Sequence, residues 1–157
     1  MEFPAGRLDL YLVDISEPHD NDLRVVVLTA RGRGPLEDTG LEIGEARRIQ
    51  PLEEDLAYEL VWPQYVAYAM RSESYARLED QEMRAADSLH TRRDSAFLAY
   101  VAATTFASDE YPGPLTHWSL DTLNHCLDVV SDTPPTIRSL SREYWPRSPT
   151  IQNWAKS

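Results

Sequence analysis

Residues 8–15 alternate as a strand does: Leu8, Leu10 and Leu12 fall on one face of an extended chain and Tyr11, Val13 and Ile15 on the other. Residues 23–29 contain Val25, Val26 and Val27, β-branched side chains that suit a pleated surface. Between the two runs, Glu17, Pro18, His19, Asp20, Asn21 and Asp22 are dense in turn formers, so a β-hairpin is predicted. Arg31-Gly-Arg-Gly-Pro35 breaks the pattern, and a weaker alternation over residues 41–49, with Leu41 and Ile43 sharing a face, predicts a third strand. Residues 57–70 are rich in Tyr and Val but divided by Pro63, which predicts two short strands, 58–62 and 65–71.

The period then changes. Residues 73–94 are polar, with Met83 and Leu89 as aliphatic anchors toward the end, and read as an exposed helix or an excursion. Asp94 or Ser95 is placed to cap a helix running to about Ala107, with Phe97, Val101, Thr104 and Ser108 along one stripe. Asp109-Glu-Tyr-Pro-Gly-Pro114 stops it, and Ser119 is placed to cap a second helix through Val130, with Leu120, Leu123, Leu127 and Val130 as its core stripe. Beyond Pro134-Pro135, Ile137 and Leu140 pack locally, and Tyr144, Trp145, Pro146, Pro149 and Trp154 form an aromatic, proline-punctuated tail. Strands followed by helices predict an α+β domain, an antiparallel sheet from the N-terminal half packed against C-terminal helices. The domain is expected over residues 1–133, with 134–157 as a C-terminal segment.

At 157 residues the chain is long enough to bury a conventional core without disulfides or a structural metal. Its 26 acidic and 15 basic residues give a net charge of −11, a field that repels nucleic acid and anionic lipid and favours encounter with a basic protein. Cys126 is the single cysteine, which excludes an intramolecular disulfide and a thiolate zinc cluster. The N-terminal residues lack the basic start and apolar stretch of a signal peptide, and no apolar run approaches membrane-spanning length, so a cytoplasmic, non-membrane protein is expected.

On the predicted second helix, Asp121, His125 and Asp128 are spaced i, i+4 and i+7 and share a face, with His117 just before its cap. A carboxylate beside an imidazole orients a general base, and two histidines with a carboxylate suit a metal, but this face lies opposite the leucine stripe, where a solvated surface is the ordinary outcome. Cys126 follows His125, yet neighbours on a helix point about 100° apart, which leaves it a buried, inert thiol. His19, Asp20 and Asp22 lack the glycine and distant glutamate of a calcium loop and read as turn chemistry. No GxxxxGK[ST] or GxGxxG motif is present, Arg31 and Arg33 do not offset the acidic balance, and no metal or cofactor is expected.

Tyr58, Trp62, Tyr65, Tyr68 and Tyr75 crowd one region, and such side chains, apolar in body and polar at the tip, are enriched where surfaces meet partners. With the nearby acids Glu53, Glu54 and Asp55, and with Asp109, Glu110 and Tyr111, they make up the predicted partner surface. The segment Phe106-Ala-Ser-Asp-Glu-Tyr-Pro-Gly-Pro-Leu-Thr-His-Trp118, with Leu123-Asn-His-Cys-Leu-Asp128 and Tyr65-Val-Ala-Tyr-Ala-Met-Arg-Ser-Glu-Ser-Tyr75, resembles a family of uncharacterised bacterial proteins. The resemblance implies a bacterial origin and an α+β domain, and supplies neither an activity nor a catalytic residue. The leading expectation is a small acidic protein-binding module, an immunity protein or inhibitor that masks a basic toxin or nuclease. The alternatives are a hydrolase built on His117, Asp121 and His125, and a structural subunit that docks through the tail from Tyr144 to Trp154.

Overall fold

The structure, a computed structural model, describes residues 3–6, 8–38, 45–50, 56–76 and 87–145. The expectations placed on residues 41–44, on Glu53, Glu54 and Asp55, on Met83 and on the tail from Pro146 onward lie outside these. Along the chain run β1 (Leu10–Ser16), β2 (Leu23–Thr29), β3 (Arg31–Asp38), β4 (Glu45–Gln50), β5 (Ala57–Trp62), β6 (Ala67–Ser72), β7 (Leu89–Arg92), α1 (Ala96–Thr104), β8 (Thr116–Asp121), β9 (His125–Ser131) and β10 (Thr136–Leu140). Single 3-10 turns cover Glu73–Tyr75 and Arg142–Tyr144. No helix among the described residues is long and apolar enough to cross a membrane.

Two antiparallel four-stranded sheets carry the architecture, one ordered β1-β2-β5-β10 and the other β6-β9-β8-β7, and β3 pairs with β4 as a separate hairpin. This overturns the predicted α+β fold: the described residues hold one short helix, and the segment expected to be the second helix is the β8–β9 hairpin. Residues 116–131 satisfy two periods at once. Leu120, Leu123, Leu127 and Val130 fit a helical stripe, but Leu120, Leu127 and Val129 also fit a strand period of two and pack into one core with Leu10, Val25, Val27, Leu60 and Trp62 of the first sheet. Pairing with β6 and β7 on either side settles the choice, because hydrogen-bond ladders then flank β8 and β9 on both edges while both sheets bury their apolar faces.

Arg31-Gly-Arg-Gly-Pro35, expected to break the chain, lies within β3. The ladder to β4 shifts register between Arg33 and Glu37, an irregularity that lets a strand carry Gly34-Pro35. The segment beyond Pro134 supplies β10, which pairs along β5 from Thr136 opposite Val61 to Leu140 opposite Ala57.

The outer face of the first sheet is also covered. Val13, Val26, Leu28 and Ala57 are buried there against Tyr11, Leu140 and Trp145. Beside them an ion ladder crosses all four strands: Asp14 Oδ2 accepts from Arg24 Nη1 at 2.7 Å, and Glu59 accepts from Arg24 Nε at 2.6 Å and from Arg138 Nε at 2.5 Å. Burial, the largest influence on the Glu59 carboxyl, pushes its pKa up, but the two guanidinium hydrogen bonds and charges outweigh it and hold Glu59 below the usual carboxylate range.

β1 is an edge strand, and unpaired edge groups are a liability unless covered. Here the β8–β9 turn covers them. Asn124 accepts from Leu12 N–H through Oδ1 at 3.0 Å and donates through Nδ2 to the Leu12 carbonyl at 2.9 Å, while Leu123 N–H donates to the Leu10 carbonyl at 2.8 Å. The amide thereby links the two sheets beside the bulge at Val13, where the register slips between Leu12 and Asp14. Asn124→Ala removes both side-chain bonds and is expected to cost about 1–3 kcal/mol. Urea denaturation checks this, and an unchanged midpoint would show that the clamp contributes nothing.

Candidate functional site

His117, Ser119 and Asp121 alternate along β8 with Thr116, Trp118 and Leu120, so the polar set faces away from the core shared by the sheets. Antiparallel pairing sets Asp128 of β9 directly opposite Ser119. α1 packs on β8 and β9, and its N-cap Ser95 meets this polar face.

His117 is 2% exposed and is bonded at both ring nitrogens: Nδ1 lies 2.6 Å from Ser95 Oγ and Nε2 lies 2.9 Å from Asp128 Oδ1. Ser119 Oγ donates to Asp128 Oδ1 at 2.7 Å, and Arg71 donates to Oδ2 at 3.0 Å. With a neutral ring the donors close in one order. The ionised Asp128 accepts only, so Nε2 carries the proton, and Nδ1 accepts from the Ser95 hydroxyl. Ser95 Oγ in turn accepts from Leu98 N–H at 2.9 Å, as a helix cap does. The Phe97 ring packs edge-on against the imidazole, with centroids 5.5 Å apart.

Burial pushes the Asp128 carboxyl up most strongly. The hydrogen bonds from His117 and Ser119, followed by electrostatic attraction to His117 and Arg71, outweigh it and hold the group below its ordinary value of 3.8. The order hydroxyl, imidazole, carboxylate is that of an activated serine nucleophile, with the ring reversed relative to the chymotrypsin-type arrangement: here the acid holds Nε2 and the serine meets Nδ1.

The strands separate the expected His117, Asp121 and His125 group. Asp121 lies four residues along β8 from His117, roughly 13 Å at the strand rise. His125 shares its face of β9 with Leu127 and Val129, on the opposite side of the sheet from His117, so the two histidines do not converge. Among the described residues no three His, Cys, Asp or Glu side chains are grouped to hold a metal. Cys126 is a buried thiol that takes part in no disulfide. Asp20 and Asp22 do turn work: Asp22 Oδ1 accepts from Gln64 N–H at 3.3 Å, and the Asp20 carbonyl accepts from the Gln64 side chain at 3.4 Å.

The expected partner surface is also rearranged. Tyr58 and Trp62 lie in the core between the sheets. Tyr65 is half-buried, with its ring edge-on to the exposed Tyr68 at 5.1 Å. Its hydroxyl donates to Glu17, and that bond, followed by burial, pushes the Tyr65 pKa up to about 12. Asp109, Glu110 and Tyr111 are exposed on a tight loop after α1. Ser108 N–H donates to the Tyr111 carbonyl at 2.7 Å and Tyr111 N–H returns a bond to the Ser108 carbonyl at 3.1 Å. The loop holds Phe106 and Tyr111 stacked, with centroids 6.2 Å apart and planes 13° from parallel, although they are 86% and 67% exposed.

Ser95 and Phe106 are the functional candidates that reasoning from sequence missed, the first because it read as a cap alone and the second because it read as the tail of a helix. Strand alternation of His117, Ser119 and Asp121 was the signal for the buried network. No family model, curated protein or solved structure matches the chain. The resemblance of the 106–118 segment therefore brings no activity to it.

Because the Asp128 carboxyl ionises more readily in the fold than in an open chain, it stabilises the protein at all pH above its ordinary value. That contribution drains away as the pH falls through the lower, folded value. Asp128→Asn is expected to lose about 1–3 kcal/mol at pH 7. It should also flatten the acid limb of the stability curve below about pH 4. Parallel denaturation series in acid check both effects, and superimposable curves would count against them.

Proposed function

We propose that this protein is a small acidic protein-binding module, an immunity protein or inhibitor whose partner presents a basic surface. The stacked, solvent-exposed Phe106 and Tyr111 pair, with Asp109 and Glu110 between them in sequence, carries the reading. Two large rings left in water make an unfavourable surface for a monomer, and aromatic side chains held rigid before contact are the residues that anchor interfaces. The loop hydrogen bonds fix their geometry in advance, which lowers the ordering cost of binding. The acids supply attraction to a basic partner, an effect felt mainly in the association rate. The net charge of −11 acts in the same direction.

The test begins with a stoichiometric partner recovered from a native bacterial lysate. Phe106→Ala with Tyr111→Ala is expected to weaken that complex about tenfold or more, chiefly through faster dissociation. Asp109→Asn with Glu110→Gln is expected to slow association at low salt and to flatten its salt dependence. Unaltered kinetics in both variants, with thermal stability retained, would sink the reading.

A second reading, a serine hydrolase, is favoured by one specific observation, the chain of hydrogen bonds from Ser95 through His117 to Asp128. In it the Ser95 hydroxyl oxygen attacks an acyl carbonyl, and His117 takes the hydroxyl proton and delivers it to the leaving group. Water then hydrolyses the acyl-serine by the same route in reverse, and Asp128 holds the ring throughout. The amides of the first turn of α1 stand next to the nucleophile, where an oxyanion needs donors. A fluorophosphonate probe should form an adduct on Ser95 in the wild type and none in Ser95→Ala. Intact mass spectrometry showing an unmodified, folded wild-type chain after prolonged exposure would exclude the reaction.

A further inference from the structure

We propose that the open edge of β6 is a docking site for an extended, basic segment of a partner protein, which adds to the second sheet as a further antiparallel strand. It rests on the protein-binding reading only for the basic nature of the partner, and the surface is separate from the loop that carries Phe106 and Tyr111.

β6 ends the sheet order β6-β9-β8-β7, and its backbone groups sort by alternation. Glu73 N–H donates to the Asn124 carbonyl at 3.2 Å, and the same register runs back from Ser72 opposite His125 to Ala67 opposite Val130. In an antiparallel ladder every second residue bonds the neighbouring strand, so Arg71, Ala69 and Ala67 turn their backbone groups to β9. Tyr68 and Met70 turn both N–H and C=O outward, and Ser72 turns its N–H outward, with no strand beside them among the described residues.

The edge at β1 is treated differently, since Asn124 and Leu123 meet its backbone groups. β6 has none of the devices that keep an edge from pairing. The run Ala-Tyr-Ala-Met-Arg-Ser holds no proline or lysine, and its register to β9 is unbroken. Its one charged side chain, Arg71, lies on the face away from Tyr68 and Met70, bonded to Asp128.

A surface for side chains accompanies this backbone row. Tyr68 and Met70 stand opposite Val129 and Leu127, on the side of the sheet that faces the core, yet they are 39% and 43% exposed. The Tyr65 ring abuts Tyr68 at one end. A strand laid along β6 completes the backbone bonds and brings alternate apolar side chains against Tyr68 and Met70. Charge selects the occupant. The chain carries −11, and Glu17 stands at the Tyr65 hydroxyl. That field attracts a basic segment and repels a second copy of this chain, which could otherwise pair β6 with β6.

Hydrogen exchange and chemical-shift titration of the isotope-labelled full chain test the site, with a synthetic peptide of alternating lysine and valine as the probe. In the free protein the Tyr68 and Met70 amides should exchange fast and the Ala69 amide slowly. The peptide is expected to shift the Tyr68, Met70 and Ser72 amides saturably and to slow exchange at the first two. The same peptide methylated on its backbone nitrogens should bind about tenfold more weakly, and so should one with glutamate in place of lysine. Met70→Lys, a change at an exposed position, should also weaken binding about tenfold. Phe106→Ala with Tyr111→Ala should leave peptide binding unaltered, so loss of the peptide overturns the strand site without touching the loop, and a silent loop leaves the strand site standing. Protected Tyr68 and Met70 amides in the free protein, or undiminished binding of the methylated peptide, overturns the site. Equal binding of the glutamate peptide overturns the basic occupant. Concentration-dependent shifts at these amides without peptide, with a doubled mass in sedimentation, overturn the partner strand in favour of a second copy.

Discussion

The position of α1 depends on one imidazole bonded at both nitrogens. A helix of nine residues is too short to hold itself together in water, and Val101 is its single fully buried side chain. What fastens it is the bond from its cap, Ser95, to His117 on β8, with His117 held from behind by Asp128 on β9. Ser119 and Arg71 complete the shell of the carboxylate, so the network joins α1, β6, β8 and β9. Where α1 stops sets the path of the loop that displays Phe106 and Tyr111.

The charges of the molecule have two separate uses. Glu59 and Asp128 are buried and neutralised by guanidinium groups, from Arg24 and Arg138 in one case and Arg71 in the other, and they tie strands together. Asp109 and Glu110 remain in water, where they attract a partner without any cost of desolvation in the free protein. A net charge of −11 conceals this arrangement, because it sums over groups with different tasks.

Local sequence was a sound guide wherever neighbouring residues decide the conformation. The β1–β2 hairpin, the strands on either side of Pro63, the Ser95 cap and the break at residues 109–114 are all legible from turn formers, capping residues and β-branched runs. It misled over residues 119–130, where leucines spaced for a helix also fit a strand, and over Arg31 to Pro35, where a shift in register absorbs the glycine and proline. The same error dispersed the expected site. On a helix Asp121, His125 and Asp128 would share one face, whereas on two paired strands Asp128 turns toward His117 and His125 turns to the other side of the sheet.

By itself the sequence determined the kind of chain this is: one acidic polypeptide with enough apolar residues for a core, a first half that prefers extended structure, and a single cysteine unable to form an internal bridge. Those properties are sums or short-range preferences, so they need no knowledge of which segments meet. Only the tertiary structure decided that the second half pairs as strands, that Tyr58 and Trp62 face the core rather than a partner, and that Ser95 meets Asp128 across His117. Each of these depends on contacts between residues far apart in the chain. Such contacts carry the deciding free energy, because burial between sheets and completed hydrogen-bond ladders outweigh local propensities of well under 1 kcal/mol per residue.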